Sequence, residues 1–261
     1  MTKVTFEQML SAGVHFGHLK RKWNPSMSPY IFDEKKGIHV IDLNKTLIKL
    51  EEASKAMRQI AKSGRKILFV ATKKQAKEIM STKVEEVNMP SITERWPGGL
   101  LTNFKTTRKT IKKMTSIDKM MKDGTADTMS KRERLQLSRK REKIDKIFGS
   151  ISDMTRLPAA IFIVDVKKEH IALSEAKNLK IPIFAMVDTN SSPDGIDFVI
   201  PSNDDATKSI DLVISALCDA IKEGLGERKQ TKEKIAQEKA AKEAAKEANE
   251  ENTEQKLEDK S

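Results

Sequence analysis

Residues 13–25, GVHFGHLKRKWNP, bring together side chains that could do chemistry. His15 and His18 are spaced i, i+3, so a helix would place both imidazoles on one face. Such a pair could belong to a metal site, a catalytic pair or a surface that binds a polyanion. The neighbouring residues favour the polyanion, because lysine and arginine contact phosphates and a tryptophan can stack on a base. The candidate contacts are Lys20, Arg21, Lys22, Trp23 and Asn24.

A second stretch of the same kind covers residues 94–113, ERWPGGLLTNFKTTRKTIKK. It contains the other of the chain's two tryptophans, again beside basic residues. The alternative for both tryptophans is that they fill the hydrophobic core. The candidate nucleic-acid contacts in this stretch are Arg95, Trp96, Asn103, Lys105, Arg108, Lys109, Lys112 and Lys113.

The charge of the chain also points to a polyanionic partner. Its 261 residues include 49 Lys and Arg against 38 Asp and Glu, a formal net charge of +11. The excess is concentrated in residues 103–155, which carry 15 basic and 7 acidic residues, whereas residues 229–261 carry 8 lysines and 9 acids. A concentrated basic block suits nucleic acid, because Lys and Arg displace the counterions condensed on phosphates. A soluble protein with a high isoelectric point is the simpler alternative.

Familiar catalytic and cofactor motifs are missing from the sequence. It has no GxGxxG or GxxxxGK[ST] phosphate loop, no HExxH and no GxSxG, so we expect no enzymatic activity. The single cysteine, Cys218, excludes a disulfide framework and fits a small buried core residue. The N-terminus has no apolar signal-peptide region, and no stretch approaches about 20 apolar residues, so we expect a cytoplasmic protein.

The elements that must position these residues alternate along the chain. Four continuous apolar runs are typical of strands buried on both faces of a parallel sheet. Amphipathic helical patterns lie between them, which predicts an α/β fold with three layers. The predicted strands are 66–72, 159–166, 181–189 and 197–202, and the predicted helices are 47–64, 73–87, 170–179 and 203–224.

The alternation is interrupted between about residues 103 and 155, where apolar residues recur near heptad spacing around a turn signal at Asp123-Gly124. This pattern predicts a coiled-coil hairpin of two antiparallel helices that projects from the α/β body. After Gly226 the composition is nearly all Ala, Lys, Glu, Gln and Asn, which predicts a disordered tail or a frayed single helix. The predicted organisation is a discontinuous α/β domain (1–104 and 156–226), a hairpin insertion (105–155) and a charged tail (227–261).

Five aspartates lie near the ends of the predicted strands, where open α/β sheets bind their ligands. They are Asp165, Asp188, Asp194, Asp204 and Asp205. If His18 meets Asp188 and Asp204 there, the three could hold a structural divalent cation, and otherwise we expect no cofactor. A nucleotide-dependent enzyme would use the same edge. The alternative role for the aspartates is helix capping and turn formation.

Several long strings, in their order and spacing, resemble one family. GVHFGH and KWNPSMSPYIFDEKKGIHVIDLNKT are similar to the N-terminal signature of the bacterial small-subunit ribosomal protein numbered two. ILFVATKKQAK, ERWPGGLLTNF and the run from LPAAIFIVDV to NDDATKSI follow in the family's order. The resemblance covers about residues 4–226. It departs at Ala71, where the family more often has Gly, and at Pro97, where Leu is common.

The resemblance implies a Rossmann-like α/β domain with a coiled-coil insertion and no catalysis. It implies a structural role in the small (30S) ribosomal subunit, binding 16S rRNA between head and body. The family also helps dock ribosomal protein one, which captures messenger RNA, so protein recruitment is an overlapping function. The resemblance also implies that His15 has a packing role and that Lys20, Arg21 and Lys22 face RNA. No membrane and no small-molecule substrate is implied.

Overall fold

The computed structural model describes residues 4–124 and 129–258. Within these residues the chain forms eight strands, arranged in two sheets. The strands are β1 (Phe16–Leu19), β2 (Ile31–Lys35), β3 (Ile38–Ile41), β4 (Ile67–Val70), β5 (Ser91–Ile92), β6 (Ala160–Val164), β7 (Ile183–Val187) and β8 (Phe198–Pro201).

Seven α-helices accompany the strands in the same residues. Short 3-10 helices occur at Lys20–Lys22, Pro25–Tyr30 and Gly149–Ile151. The α-helices are α1 (Phe6–Ser11), α2 (Leu43–Ser63), α3 (Lys74–Glu86), α4 (Phe104–Lys122), α5 (Lys131–Phe148), α6 (His170–Asn178) and α7 (Thr207–Glu258).

The central sheet has five parallel strands in the order β5-β4-β6-β7-β8. Successive residues along its strands face opposite sides, because side chains alternate in a strand. Phe69 and Phe162 join one hydrophobic cluster, which includes residues of α2, α3 and α7. Leu68 and Ile161 join the other, which includes residues of α4 and α6. Both faces are therefore covered, and the predicted three-layer α/β fold with a parallel sheet is confirmed.

The second sheet is antiparallel, with the order β1-β3-β2, and the sequence did not predict it. Its strands are short and mostly exposed or half-buried, and β2 carries Asp33, Glu34 and Lys35. They lack the continuous apolar runs that mark the central strands. This small sheet carries the N-terminal segment with the two histidines.

The helices α2, α3 and α6 lie close to their predicted positions. Asp42 caps α2 by accepting a hydrogen bond from the backbone N–H of Asn44 at 3.0 Å. Gly64 ends the same helix with φ 76°, the left-handed conformation in which glycine is favoured. Cys218 is buried in the cluster with α7, as predicted, and burial raises the pKa of its thiol to about 12.

The expectation that the last helix ends at Gly224 is wrong, since α7 continues to Glu258. Gly224 lies inside α7 at a close contact with α2, where an added Cβ would be 2.4 Å from the backbone oxygen of Arg58. The glycine therefore permits helix packing and does not stop the helix. For residues 227–261 the sequence predicted either a disordered tail or a single helix. The structure has a helical backbone as far as Glu258. Residues 259–261 lie outside the described residues.

The predicted hairpin corresponds to α4 and α5, which lie side by side. Ile111, Met114 and Ile117 are buried along one stripe of α4. Met121, which the sequence placed on that stripe, is exposed, because the buried stripe does not extend to the end of the helix. The tip residues 125–128 are outside the described part. The domain boundaries given above stay predictions.

Within the described part of the chain, no helix is long and apolar enough to cross a membrane.

Candidate nucleic-acid interface

The basic turn, residues 20–24, links the small sheet to the loops of the central sheet. Lys20–Lys22 form one turn of 3-10 helix, and all three side chains are exposed. The Asn24 side chain accepts a hydrogen bond from Ser26 N at 2.9 Å, and Asn24 N donates to the Thr189 carbonyl at 2.7 Å. The turn is therefore fixed at its C-terminal end while its cationic side chains remain in solvent.

Trp23 is 37% exposed, so part of its ring is available to a ligand. The Trp23 ring lies against the His39 ring, with ring centroids 5.1 Å apart and an interplanar angle of 43°. Lys20 forms an ion pair with Glu34 of β2 at 2.6 Å. The partly exposed tryptophan follows directly on Arg21 and Lys22, two exposed cations that form no ion pair within residues 4–124 and 129–258.

The N-terminal half of α4 presents a row of exposed lysines. None of the four forms an ion pair with another residue in the described ranges, which leaves their charges uncompensated. Arg108 differs, because its guanidinium is half-buried and donates to the Met154 carbonyl at 2.9 Å. Asn103 is exposed just before the helix, and Arg95 is exposed in the preceding loop. The exposed lysines are Lys105, Lys109, Lys112 and Lys113.

Trp96 is only 6% exposed, so the alternative that a tryptophan fills the core applies to it and corrects its assignment as a base-stacking residue. Its indole Nε1 donates to Glu175 Oε1 at 3.0 Å. A ring enclosed by the hydrophobic cluster cannot present a face to a nucleotide. The two similar stretches of sequence therefore carry tryptophans with different roles.

Glu175 of α6 is the residue that organises the loop before α4. The backbone N–H groups of Gly99, Leu101 and Thr102 donate to its carboxylate at 2.7, 2.9 and 3.1 Å, in addition to the indole. Burial acts to raise the pKa of Glu175, but these hydrogen bonds outweigh it and hold the pKa below its ordinary value. No motif around Glu175 in the sequence indicated this role.

The basic turn and α4 are anchored to the same hydrophobic cluster. Met27, in the 3-10 helix that follows the turn, belongs to the hydrophobic cluster that also contains Trp96 and Ile111 of α4. Both cationic stretches thus belong to the same side of the central sheet. His15 lies elsewhere, against the ring of Phe16 at 4.0 Å between centroids, as a packing role predicts.

The structure also brings together the three residues that could hold a divalent cation. His18 Nδ1 lies 2.9 Å from Asp188 Oδ2, and potential ligand atoms of His18, Asp188 and Asp204 lie within 4.8 Å of one another. Their hydrogen bond raises the pKa of His18, and burial raises the pKa of Asp204 to about 6, with the charge of Asp188 adding to it.

Lys73 is the cation of this acidic edge, and the sequence did not single it out. Its ammonium lies 2.8 Å from Asp204 Oδ1, 2.6 Å from Asp205 Oδ1 and 3.5 Å from Asp165 Oδ2. Asp194 is exposed outside this group and accepts hydrogen bonds from Ser26 and Ser192, as the turn-forming alternative predicts. We call Asp165, Asp188, Asp204 and Asp205 the acidic edge.

Comparison with known proteins decides the family. The family model described as "Ribosomal protein S2" matches residues 9–224. The chain belongs to the ribosomal protein S2 family. The proteins of this family are structural and not enzymes, so the expected absence of catalysis is confirmed and the alternative of a nucleotide-dependent enzyme is excluded.

Individual relatives agree with the family assignment. The chain is 65% identical over 228 residues to "Small ribosomal subunit protein uS2" of Azobacteroides pseudotrichonymphae, which is 87% of each chain. It is 62% identical over 232 residues to the protein of the same name from Parabacteroides distasonis and 61% identical over 232 residues to that from Bacteroides fragilis. Each of these two matches covers 89% of this chain and 84% of the relative.

Proposed function

We propose that this chain is a structural component of the small ribosomal subunit, binds 16S rRNA between head and body, and helps dock ribosomal protein one. The relatives are named as proteins of the small ribosomal subunit, which supports the same location for this chain. The uncompensated lysines of α4 are the observation that carries the RNA contact. An RNA backbone supplies the counter-charges that the described part of the chain does not.

The proposed RNA surface has two parts. The α4 lysines supply charge along about two helical turns, so they can follow phosphates without reading sequence. The basic turn adds Arg21 and Lys22 together with the exposed face of Trp23, which suits an unpaired base. Because both parts are anchored to one hydrophobic cluster, the protein can hold two RNA segments at a fixed separation.

An apolar groove on the opposite side of the small sheet supports the proposed protein contact. It has a volume of about 550 Å³ and its walls include Phe6, Leu10, Phe16 and Phe32, all of them substantially exposed. Exposed apolar patches of this kind are typical of protein–protein contacts. We assign the docking of ribosomal protein one to this groove.

The decisive test replaces the lysines of α4. We expect the triple variant K109A/K112A/K113A to bind small subunits more weakly and to lower the slope of log affinity against log salt by about two to three, since each phosphate contact contributes about 0.7–0.9. Binding is measured by co-sedimentation with protein-depleted small subunits at several salt concentrations. The matched control K74A/K208A/K229A removes the same charge from exposed positions outside α4.

The two triple variants separate specific contact from total charge. An equal fall in slope for both would show that net charge alone drives association. An unchanged slope for the α4 variant would contradict the RNA assignment. If ribonuclease releases the protein from isolated subunits, RNA is its main attachment. If the protein is retained after ribonuclease, contacts with neighbouring proteins hold it, which favours protein recruitment as its main function.

A further inference from the structure

A pocket rich in positive charge lies at the edge of the central sheet opposite the acidic edge. Arg65 and Lys66 come directly before β4, whereas Lys73, the cation of the acidic edge, follows that strand. The pocket has a volume of about 570 Å³ and lies between the end of α2, the end of α3 and the middle of α7. Its charged lining consists of Arg65, Lys66, Glu86, Lys222, Arg228 and Lys229.

The charges in this pocket are not balanced. Five basic residues and one acidic residue line it, which leaves four positive charges in excess. The carboxylate of the single acid, Glu86, pairs with Lys222 at 2.7 Å. The next carboxylates along α7, those of Glu223 and Glu227, form ion pairs with Arg58 of α2. The pocket therefore keeps a surplus of cations that the acid in its lining does not neutralise.

Part of the surplus serves two helix ends that open on the pocket. The Lys66 ammonium donates to the Asn88 carbonyl after α3, and the Arg228 guanidinium lies against Gly64 at the end of α2. A helix C-terminus is equivalent to about half a negative charge, so the two ends together offset about one of the four positive charges. About three positive charges remain, and helix capping alone does not explain them.

The pocket also has an apolar side. Val87 and Met89 line it and belong to the hydrophobic cluster that includes residues of α2, α3 and α7. Leu225 lines it as well and packs against that cluster while staying half-buried. Apolar surface beside a few charged groups, within a volume of about 300–1,000 Å³, is typical of small-molecule sites. A phosphate group alone would leave the apolar side uncovered, whereas a nucleobase would cover it.

We propose that this pocket binds a free nucleoside diphosphate or triphosphate, with its phosphates on Arg65, Arg228 and Lys229. The base would lie against Met89 and Leu225. A nucleoside diphosphate carries about three negative charges at neutral pH, which matches the remaining excess. Arginine suits phosphates because its guanidinium can donate two parallel hydrogen bonds. The concave shape favours a small ligand over an RNA backbone, for which the open row of lysines on α4 is the better surface.

The ligand would connect segments that are far apart in the chain. Arg65 lies between α2 and β4, whereas Arg228 and Lys229 belong to α7, whose backbone continues to Glu258. An occupied pocket would therefore tie α7 to the central sheet just before the extension of that helix. The proposal concerns binding only, and it adds no reaction to the structural role.

Calorimetry on the full chain tests the proposal, with ADP as the probe and a chelator present so that no metal ion contributes. We expect one saturable site per chain. R65A/R228A should weaken ADP binding at least about tenfold, because it removes two charged hydrogen-bond donors. The matched control R132A/R139A removes two exposed arginines of α5 and should bind ADP as the wild type does.

Two further comparisons test the class of ligand. Pyrophosphate should bind several-fold more weakly than ADP, and L225Q should weaken the binding of ADP but not of pyrophosphate, since only the nucleotide contacts the apolar side. A single-stranded RNA hexamer should displace ADP only in large excess, because its backbone does not fit the concave pocket.

The outcomes are distinct. Absence of saturable binding, or equal losses in R65A/R228A and R132A/R139A, overturns the site. Equal affinities for pyrophosphate and ADP would leave an anion site and overturn the nucleotide, and efficient displacement by the hexamer would make RNA the ligand and overturn the free nucleotide.

Two checks keep these outcomes interpretable. Arg228 also covers the end of α2, so the fold of the double variant is checked by circular dichroism, and R65A alone carries the test if that variant unfolds. The α4 variant K109A/K112A/K113A should bind ADP as the wild type does. Failure of the nucleotide site is therefore distinguishable from failure of the proposed rRNA contact.

Discussion

Two stretches of this chain look alike in sequence and differ in the folded protein. Both place a tryptophan beside arginine, lysine and asparagine. In the basic turn the tryptophan lies at the surface and the cations directly precede it, whereas in the loop before α4 the tryptophan is enclosed and the exposed lysines begin in the first turn of α4. A tryptophan beside basic residues therefore does not identify an RNA contact by itself.

The partner of each ring makes the difference. Trp96 donates its indole N–H to a buried carboxylate that also collects three backbone donors, so the ring is fixed by a polar network inside an apolar cluster. The Trp23 ring lies against the His39 ring and is 37% exposed, so part of it remains in solvent. One tryptophan stabilises the fold, and the other is available for a ligand.

The largest effect should separate the two tryptophans directly. W96A is expected to lower the free energy of unfolding by about 3–5 kcal/mol, because it empties a core position and removes the indole N–H that donates to Glu175. W23A should cost under about 1 kcal/mol and should instead weaken binding to small subunits. Urea unfolding and co-sedimentation of both variants make the comparison, and equal losses of stability would remove the distinction.

Replacing the carboxylate tests whether the network or the ring holds the loop. E175Q keeps the shape but loses the charge and turns an amide N–H₂ toward backbone donors. We expect a loss of about 1.5–3 kcal/mol in the free energy of unfolding, the range of one hydrogen bond to a charged group. The exposed residue Glu142 on α5 provides the control E142Q, which should unfold like the wild type.

The same network predicts a pH dependence. The pKa of Glu175 is lower in the folded protein than its ordinary value, so its contribution to stability is present above the unfolded pKa and is lost as the pH falls through the folded pKa. The stability difference between wild type and E175Q should therefore be largest above about pH 5 and should shrink in more acidic solution. A difference that is constant from neutral to acidic pH would contradict an ionised Glu175 in the network.

The smallest expected effect on stability concerns the cations of the basic turn. R21A/K22A removes exposed side chains that have no ion-pair partner in the part of the chain that the structure describes, so the free energy of unfolding should stay within about 0.5 kcal/mol of the wild type. Co-sedimentation with small subunits should weaken, and its salt dependence should flatten. A clear loss of stability would mean that the turn is part of the folded core.

The central sheet was predictable from the sequence because its strands are covered on both faces. The runs ILFVA (67–71) and AAIFIV (159–164) are apolar throughout, which is typical of strands in a parallel sheet covered on both faces. The small sheet gives no such signal, since its strands are short and carry charges. Heptad spacing predicted the hairpin, but no pattern indicates that the buried stripe ends at Ile117 and leaves Met121 exposed.

The candidate site was predictable only in part. Its lysines and its exposed tryptophan follow from residue type and charge. The burial of Trp96 depends on Glu175, which lies 79 residues away in the chain and has no motif around it. The meeting of His18 with Asp188 and Asp204 depends on how β1 approaches the central sheet, and the rule that ligands gather at strand ends indicated only the aspartates.

The attachment of the basic turn to the central sheet has a consequence for synthesis on the ribosome. His18 N donates to Thr189 Oγ1 at 2.8 Å, a contact between residues 171 positions apart, and Gly17 packs so closely on Thr189 that an added Cβ would lie 2.7 Å from it. At about 5–20 residues per second, the N-terminal segment waits roughly 10–30 s after translation before its partner is made. During that interval the cationic segment of the nascent chain can pair with β3 of the small sheet but lacks its contact with the central sheet.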